Sequence, residues 1–245
     1  AVGMYALLNT TGNNNTAAGL SALEANTTGT RNIAVGYDSL KSNTTGANNT
    51  SLGTSSLFTN TTGQKNTALG QGALYSSTTA SDNTAIGNDA LFANTTGTNN
   101  VATGMNALTA NTTGTRNNAL GRDALKSNTT ANDNTGLGDQ ALQANTTGAD
   151  NTAVGRGALY NNTTAEYNTA VGYYAMVSNT TGTQNVALGT FALDANTTGP
   201  QNSALGYNSL GANTTGAQNT GIGSTSLATN TTGDNNVAVG QVALR

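Results

Sequence analysis

Cysteine, histidine and tryptophan are absent from these 245 residues, and proline occurs once, at Pro200. Without cysteine there is no disulfide framework. Without histidine as well, there is no zinc site of the usual kind and no His- or Cys-dependent nucleophile or general base. Charge is scarce: 8 basic and 11 acidic residues give a net charge of −3. Eight scattered cations make no electrostatic footprint for nucleic acid. No apolar run approaches the ~18 residues that a membrane-spanning helix needs. No segment reads as a signal peptide. Glycine, by contrast, is abundant, with 31 residues.

The glycines are in register. Starting from Gly36, the same glycine recurs at every seventeenth position, through Gly53, Gly70 and onward to Gly240, and it is preceded by Gly19 and Gly3. The step from Gly3 to Gly19 is shorter than the others by one, so a single deletion falls near Leu7-Leu8. The unit reads N-T-A-V-G-x-x-A-L-x-A-N-T-T-G-x-x, numbered here from position 1 (Asn32, Asn49, Asn66) to position 17. Position 9 is Leu, with Met176 the exception. Position 12 is Asn except at Ser77, and positions 13 and 14 are always Thr. Position 15 is Gly except at Ala80, Ala131 and Ala165. The whole of 1–245 is one array that begins and stops inside a unit, which predicts a segment of a longer, capped solenoid.

Asn-Thr-Thr-Gly recurring once in every unit is incompatible with a helix, because these residues favour turns and caps. Two short segments remain, at positions 2–4 and 8–11, and each is long enough for a strand. The pattern predicts an all-β parallel β-solenoid of about 14 coils, with ~4.8 Å between coils. Every charge falls at position 6, 7, 10, 16 or 17, so these positions face water. Stacking would set opposite charges side by side at Glu24–Lys41, Lys65–Asp82, Arg116–Asp133, Arg122–Asp139 and Asp139–Arg156. One like-charge pair, Asp133–Asp150, is also predicted. The large aliphatics at positions 4 and 9 are expected to anchor the core. One of the small Ala ladders at positions 3 and 8 is expected to pack against another chain. Asn at position 1 (Asn32, Asn49, Asn66, Asn83, Asn100) is expected to form one structural ladder, and Asn at position 12 a second. Gly at positions 5 and 15 is expected to supply positive φ at the corners.

The motif N-T-A-V-G-x-x-A-L, with Asn151, Ala153, Val154, Gly155 and Ala158 among the matching residues, resembles the head repeat of trimeric autotransporter adhesins (YadA-like heads). Similar arrays occur in phage tail fibres and other trimeric surface fibres. This chain departs by an added Asn-Thr-Thr-Gly corner. The resemblance implies a left-handed β-roll wound from three copies. It also implies a non-enzymatic adhesive or structural role, outside the cell, on a cell surface or a virion. The partners it implies are further copies of the chain and a host-surface glycan or receptor.

Four features invite functional readings. Phe58, Tyr75 and Phe92 occupy position 10 of consecutive coils and form a candidate surface-binding stripe. Tyr173-Tyr174, Tyr37 and Tyr207 are secondary candidates. Asn26, Asn43, Asn60 and Asn94 sit in Asn-Thr-Thr sequons, which suggests a glycosylated surface filament or S-layer-type protein, against the simpler reading of a structural corner. The Thr pairs suggest ice binding, although adjacent threonines on an extended chain point opposite ways. Asp133 and Asp150 are the one stacked acidic pair, and they read as solvated surface charge rather than a glycosidase dyad. No catalytic, metal or cofactor residue is predicted.

Overall fold

The computed structural model describes residues 1–244; Arg245 lies outside the described residues. Two compact units are found, Ala1–Arg122 and Asp123–Arg245. Both are parallel β-solenoids, and no helix occurs among the described residues. The first unit carries seven strands, from β1 (Thr16–Ala18) to β7 (Asn118–Leu120). The second carries seven more, from β8 (Thr135–Leu137) to β14 (Val237–Val239). Each strand is positions 2–4 of one coil and, within a unit, pairs with the same positions of the next. Thr50, Ser51 and Leu52 lie opposite Thr67, Ala68 and Leu69. Thr169, Ala170 and Val171 lie opposite Val186, Ala187 and Leu188. The in-register stacking that the repeat period predicts is present in each unit.

The expected second strand is absent. Positions 6–11 form a chain of turns in which positions 7 and 9 hold left-handed backbone, as at Asp38 (φ 54°) and Leu40 (φ 52°). This segment still stacks through backbone bonds to the next coil, such as Leu40 N–H to Ser56 O (2.9 Å) and Ser42 N–H to Phe58 O (3.2 Å). A twisted segment replaces an extended one because the coil must turn its leucine inward within a few residues of the strand. A row of otherwise disfavoured φ angles is stable here because every coil repeats them and bonds to its neighbour.

The core is narrow. Position 9 leucines, from Leu23 to Leu210 with Met176 among them, are fully buried. So are alanines at positions 3 and 8, such as Ala68, Ala73, Ala153 and Ala158. Burying one leucine contributes about 1.5–3 kcal/mol. Where serines replace these alanines they bond to one another inside the core. Ser51 Oγ lies 2.8 Å from Ser39 Oγ and 2.6 Å from Ser56 Oγ. Ser209 and Ser226 are paired at 2.9 Å. Gly221 stands opposite that second pair, where a Cβ would crowd Ser209 Oγ at 2.7 Å.

Position 4 corrects the expectation of a second core anchor. In a three-residue strand only the middle residue points inward, so position 3 is buried while positions 2 and 4 face out. Leu52, Leu69 and Leu120 are 38%, 43% and 48% exposed, and Leu188 and Leu205 are 43% and 44% exposed. The expected roles are therefore exchanged. The Ala ladders fill the interior, and the aliphatic ladder lies on the outside.

Candidate functional site

The corner at positions 12–15 is a hydrogen-bonded framework. In the coil around Gly46, Asn43 Nδ2 donates to Asn26 Oδ1 (2.7 Å) and to Gly46 O (3.0 Å). Asn32 Nδ2 donates to the same Gly46 O (2.8 Å), so both lone pairs of that carbonyl are used. Asn32 Oδ1 in turn accepts the Asn49 backbone N–H (2.9 Å). The position 12 ladder is thus amide to amide, and the position 1 ladder runs chiefly amide to backbone. Asn49, Asn66, Asn83 and Asn100 repeat the position 1 pattern, each donating Nδ2 to the position 15 carbonyl of its own unit.

Glycine at position 5 does have positive φ, as at Gly36 (131°) and Gly155 (125°). Glycine at position 15 does not, so its reason is steric. A Cβ on Gly46 would fall on Asn43 Oδ1 and on Gly63 O. Where alanine occupies this position the corner opens slightly. In a glycine corner, the N–H groups of Thr44 and Thr45 both reach Thr61 O, at 2.9 and 3.1 Å. At the Ala80 and Ala165 corners the first threonine keeps this bond, Thr78 to Thr95 O and Thr163 to Thr180 O, and among the described residues the second does not.

This framework bears directly on the sequons. Asn26, Asn43, Asn60 and Asn94 are fully buried, and each Nδ2 is bonded inside the corner. A glycan on Nδ2 would displace those bonds and has no room in the folded coil, which favours the structural reading. The threonine pair also divides its labour. Position 13 hydroxyls donate to the next coil, as Thr44 Oγ1 does to Thr61 O (3.0 Å). The second threonine of each pair, such as Thr45 and Thr62, faces water. One outward row per corner leaves no two-row threonine array there, which removes the geometric support for ice binding at this corner.

Three predicted charge pairs fall inside a unit, and each is an ion pair. Glu24–Lys41 is at 3.9 Å, Lys65–Asp82 at 4.0 Å and Asp139–Arg156 at 3.6 Å. Closer pairs form within a coil, Lys41–Asp38 at 3.0 Å and Lys126–Asp123 at 3.1 Å. The turn at positions 7–10 brings these together, and inter-coil register alone could not reveal them. The hydrogen bond from Lys41 to Asp38 raises the Lys41 pKa above its ordinary value. The three pairs between coils are largely exposed and contribute at most about 1 kcal/mol each, whereas Asp38 and Asp123, in the pairs within a coil, are buried.

Phe58, Tyr75 and Phe92 stack face to face, with centroids 5.1 and 5.0 Å apart and planes within 5° and 9°. Lys41 Nζ lies 5.9 Å from the Phe58 ring centre. Ring faces inside this stack are used by the neighbouring rings, and edges point outward, so the stripe is better built to hold coils together than to receive a flat ligand. A second cluster is more open. Tyr173, Tyr174, Phe191 and Tyr207 converge over three coils, and only the tyrosines are candidates from the sequence. Phe191 shares position 7 with Tyr174 of the preceding coil, a signal the sequence does carry, but its contacts to Tyr173 and Tyr207 come from position 6, a different column. Tyr37 is exposed at 53% but joins no aromatic contact among the described residues.

Among the described residues, no group of three His, Cys, Asp or Glu side chains could hold a metal ion. The extended apolar surface of each unit is the outward strand face. Position 4 carries Val35, Leu52, Leu69 and Ile86 in the first unit, and Leu137, Val154, Val171, Leu188, Leu205 and Ile222 in the second. Position 2 flanks it with Ile33, Thr50, Thr67, Thr84, Val101 and Val186. No charged residue occurs at either position. No known protein family matches the chain, and no curated protein is similar to it.

Proposed function

We propose that this chain is a non-enzymatic structural and adhesive segment of an extracellular fibre, wound left-handed from three copies of itself. The observation that carries the reading is the outward strand face. It presents an aliphatic side chain in nearly every coil, it bears no charge, and it repeats at the ~4.8 Å coil step. A contiguous exposed apolar strip of this kind marks an interaction surface. A second copy is the partner whose ladder has the same step, so side chains interdigitate along its whole length rather than at one spot. The mechanism is mechanical. Buried amide ladders and the leucine column transmit one coil geometry to the next, so reach scales with copy number. The fibre then holds binding sites away from the surface that bears it, a cell envelope or a virion.

Sedimentation equilibrium with native mass spectrometry tests this. The expected mass is three chains. The double variant Leu188→Asp with Leu205→Asp should shift the mass toward one chain, because each charge buried in an apolar interface costs about 3 kcal/mol or more. Its far-UV circular dichroism should be unchanged, since both side chains point away from the core. A single-chain mass for the unaltered protein would overturn the reading.

A further inference from the structure

We infer that the aromatic cluster of the second unit is a binding site for a neutral, β-linked oligosaccharide. Tyr174 and Phe191, at position 7 of adjacent coils, lie nearly parallel, with planes 8° apart and centroids 6.5 Å apart. Tyr173 stands at 83° to Phe191 from the coil before, at 5.5 Å. Tyr207 stands at 79° to it from the coil after, at 6.3 Å. Two tyrosines thus stand on either side of Phe191 along the stack, each roughly perpendicular to its ring. Tyr173 and Tyr207 are 41% and 55% exposed. They sit two coil steps apart, roughly 9.6 Å along the stack, about the length of two linked pyranose rings.

Three observations point to a ligand rather than to coil packing. First, the cluster departs from the repeat. Position 7 holds Asp, Asn, Gln or Gly in many coils, whereas Tyr174 and Phe191 place aromatic rings there in two consecutive coils. Second, room has been made for it. Gly157 lies under the Tyr174 ring, where a Cβ would collide with the ring carbons. Third, the arrangement is unlike the Phe58 stack: three of its four ring contacts are edge to face, and Tyr173 and Tyr207 stay largely exposed. The flat C–H faces of β-linked pyranoses suit such rings, and their hydroxyls suit the tyrosine O–H groups. Arg156 lies 5.9 Å from the Tyr174 ring centre and is paired with Asp139, so the flank offers hydrogen-bonding groups with no net charge. That balance favours a neutral sugar over an acidic one. A self-association surface would instead follow the repeat and recur in every coil. The inference therefore does not depend on the three-chain assembly.

The experiment is titration of the full chain with cellohexaose, read by tyrosine fluorescence and calorimetry. A proline-rich peptide and sedimentation of each variant run beside it. Expected are saturable millimolar binding and a loss of roughly tenfold or more in the double variant Tyr173→Ala with Tyr207→Ala. Tyr75→Ala, in the face-to-face stack, should bind as the unaltered chain does. Because Tyr173 and Tyr207 are exposed, circular dichroism should be unchanged in the double variant. No saturable binding overturns the inference, as does binding that the double variant retains. Saturation by the proline-rich peptide alone also overturns it. A change of oligomeric mass in the double variant would assign the cluster to chain assembly instead.

Discussion

The position 12 amide ladder runs without interruption through the second unit, from Asn128 to Asn230, each Nδ2 donating to the Oδ1 one coil back. In the first unit Ser77 interrupts it. Asn43 and Asn60 continue the ladder up to the break, and Asn111 to Asn94 resumes it beyond. At the break, Asn60 Oδ1 and Ser77 Oγ are buried with no partner. Asn94 Nδ2 keeps its bond to Gly97 O. Backbone stacking passes through unchanged, with Thr61 N–H to Thr78 O at 2.8 Å. The comparison separates two kinds of order. Backbone bonds set the coil step, and the amides satisfy a buried corner that the backbone alone leaves polar and unpaired. One missing amide is a local fault, tolerated because each coil touches only its neighbours.

Extending the fault to the intact ladder gives the largest expected effect. Asn179→Ala removes the donor to Asn162 Oδ1 and to Gly182 O, and it removes the acceptor that Asn196 uses. It should cost about 3 kcal/mol, measured by urea unfolding, with hydrogen exchange faster at the flanking corners. Repairing the fault in the first unit gives the next largest. Ser77→Asn supplies a donor for Asn60 Oδ1 and for Ala80 O, together with an acceptor for Asn94 Nδ2. It should stabilise the protein by about 1 kcal/mol and slow exchange between the Asn60 and Asn94 corners. If Ser77→Asn changes nothing, the ladder is not what satisfies the corner. The smallest effect lies outside the ladder, at Asp194. Burial pushes this carboxyl above its ordinary range, only partly offset by the backbone N–H groups of Asp194 and Ala195. The fold therefore prefers the protonated form. Stability should be greatest below the ordinary carboxylate range and fall as pH rises through it. Asp194→Asn should flatten that fall, within about 0.5 kcal/mol at neutral pH.

Much of the fold is legible in the sequence. A strict repeat period, turn residues at fixed offsets and charges confined to five positions require stacked coils, although position 7, expected to face water, is buried at Asp38 and Asp123 where each pairs with a lysine three residues on. The leucine column, the two asparagine rows and the three ion pairs inside the units follow from that register. Three things are not fully legible. The second segment turns rather than extends, because left-handed backbone at Asp38 and Leu40 is unfavourable residue by residue and becomes stable only when the next coil repeats it. Gly46 reads as a conformational requirement and is a steric one, since the crowding comes from Asn43 and Gly63. The aromatic cluster around Phe191 is legible only in part: Tyr174 and Phe191 share position 7 of adjacent coils, but Tyr173 and Tyr207 join them from position 6, so a reading along one position could not assemble the whole.

The sequence by itself determined the stacking and its register, because identical residues at a fixed period place like beside like wherever the chain coils. It did not determine which way each side chain faces. Leu69 and Ala68 are adjacent, and hydrophobicity alone would bury the leucine. The fold buries the alanine instead, because the strand pleat admits one inward residue per coil and the turn segment has already filled the narrow interior with Leu74.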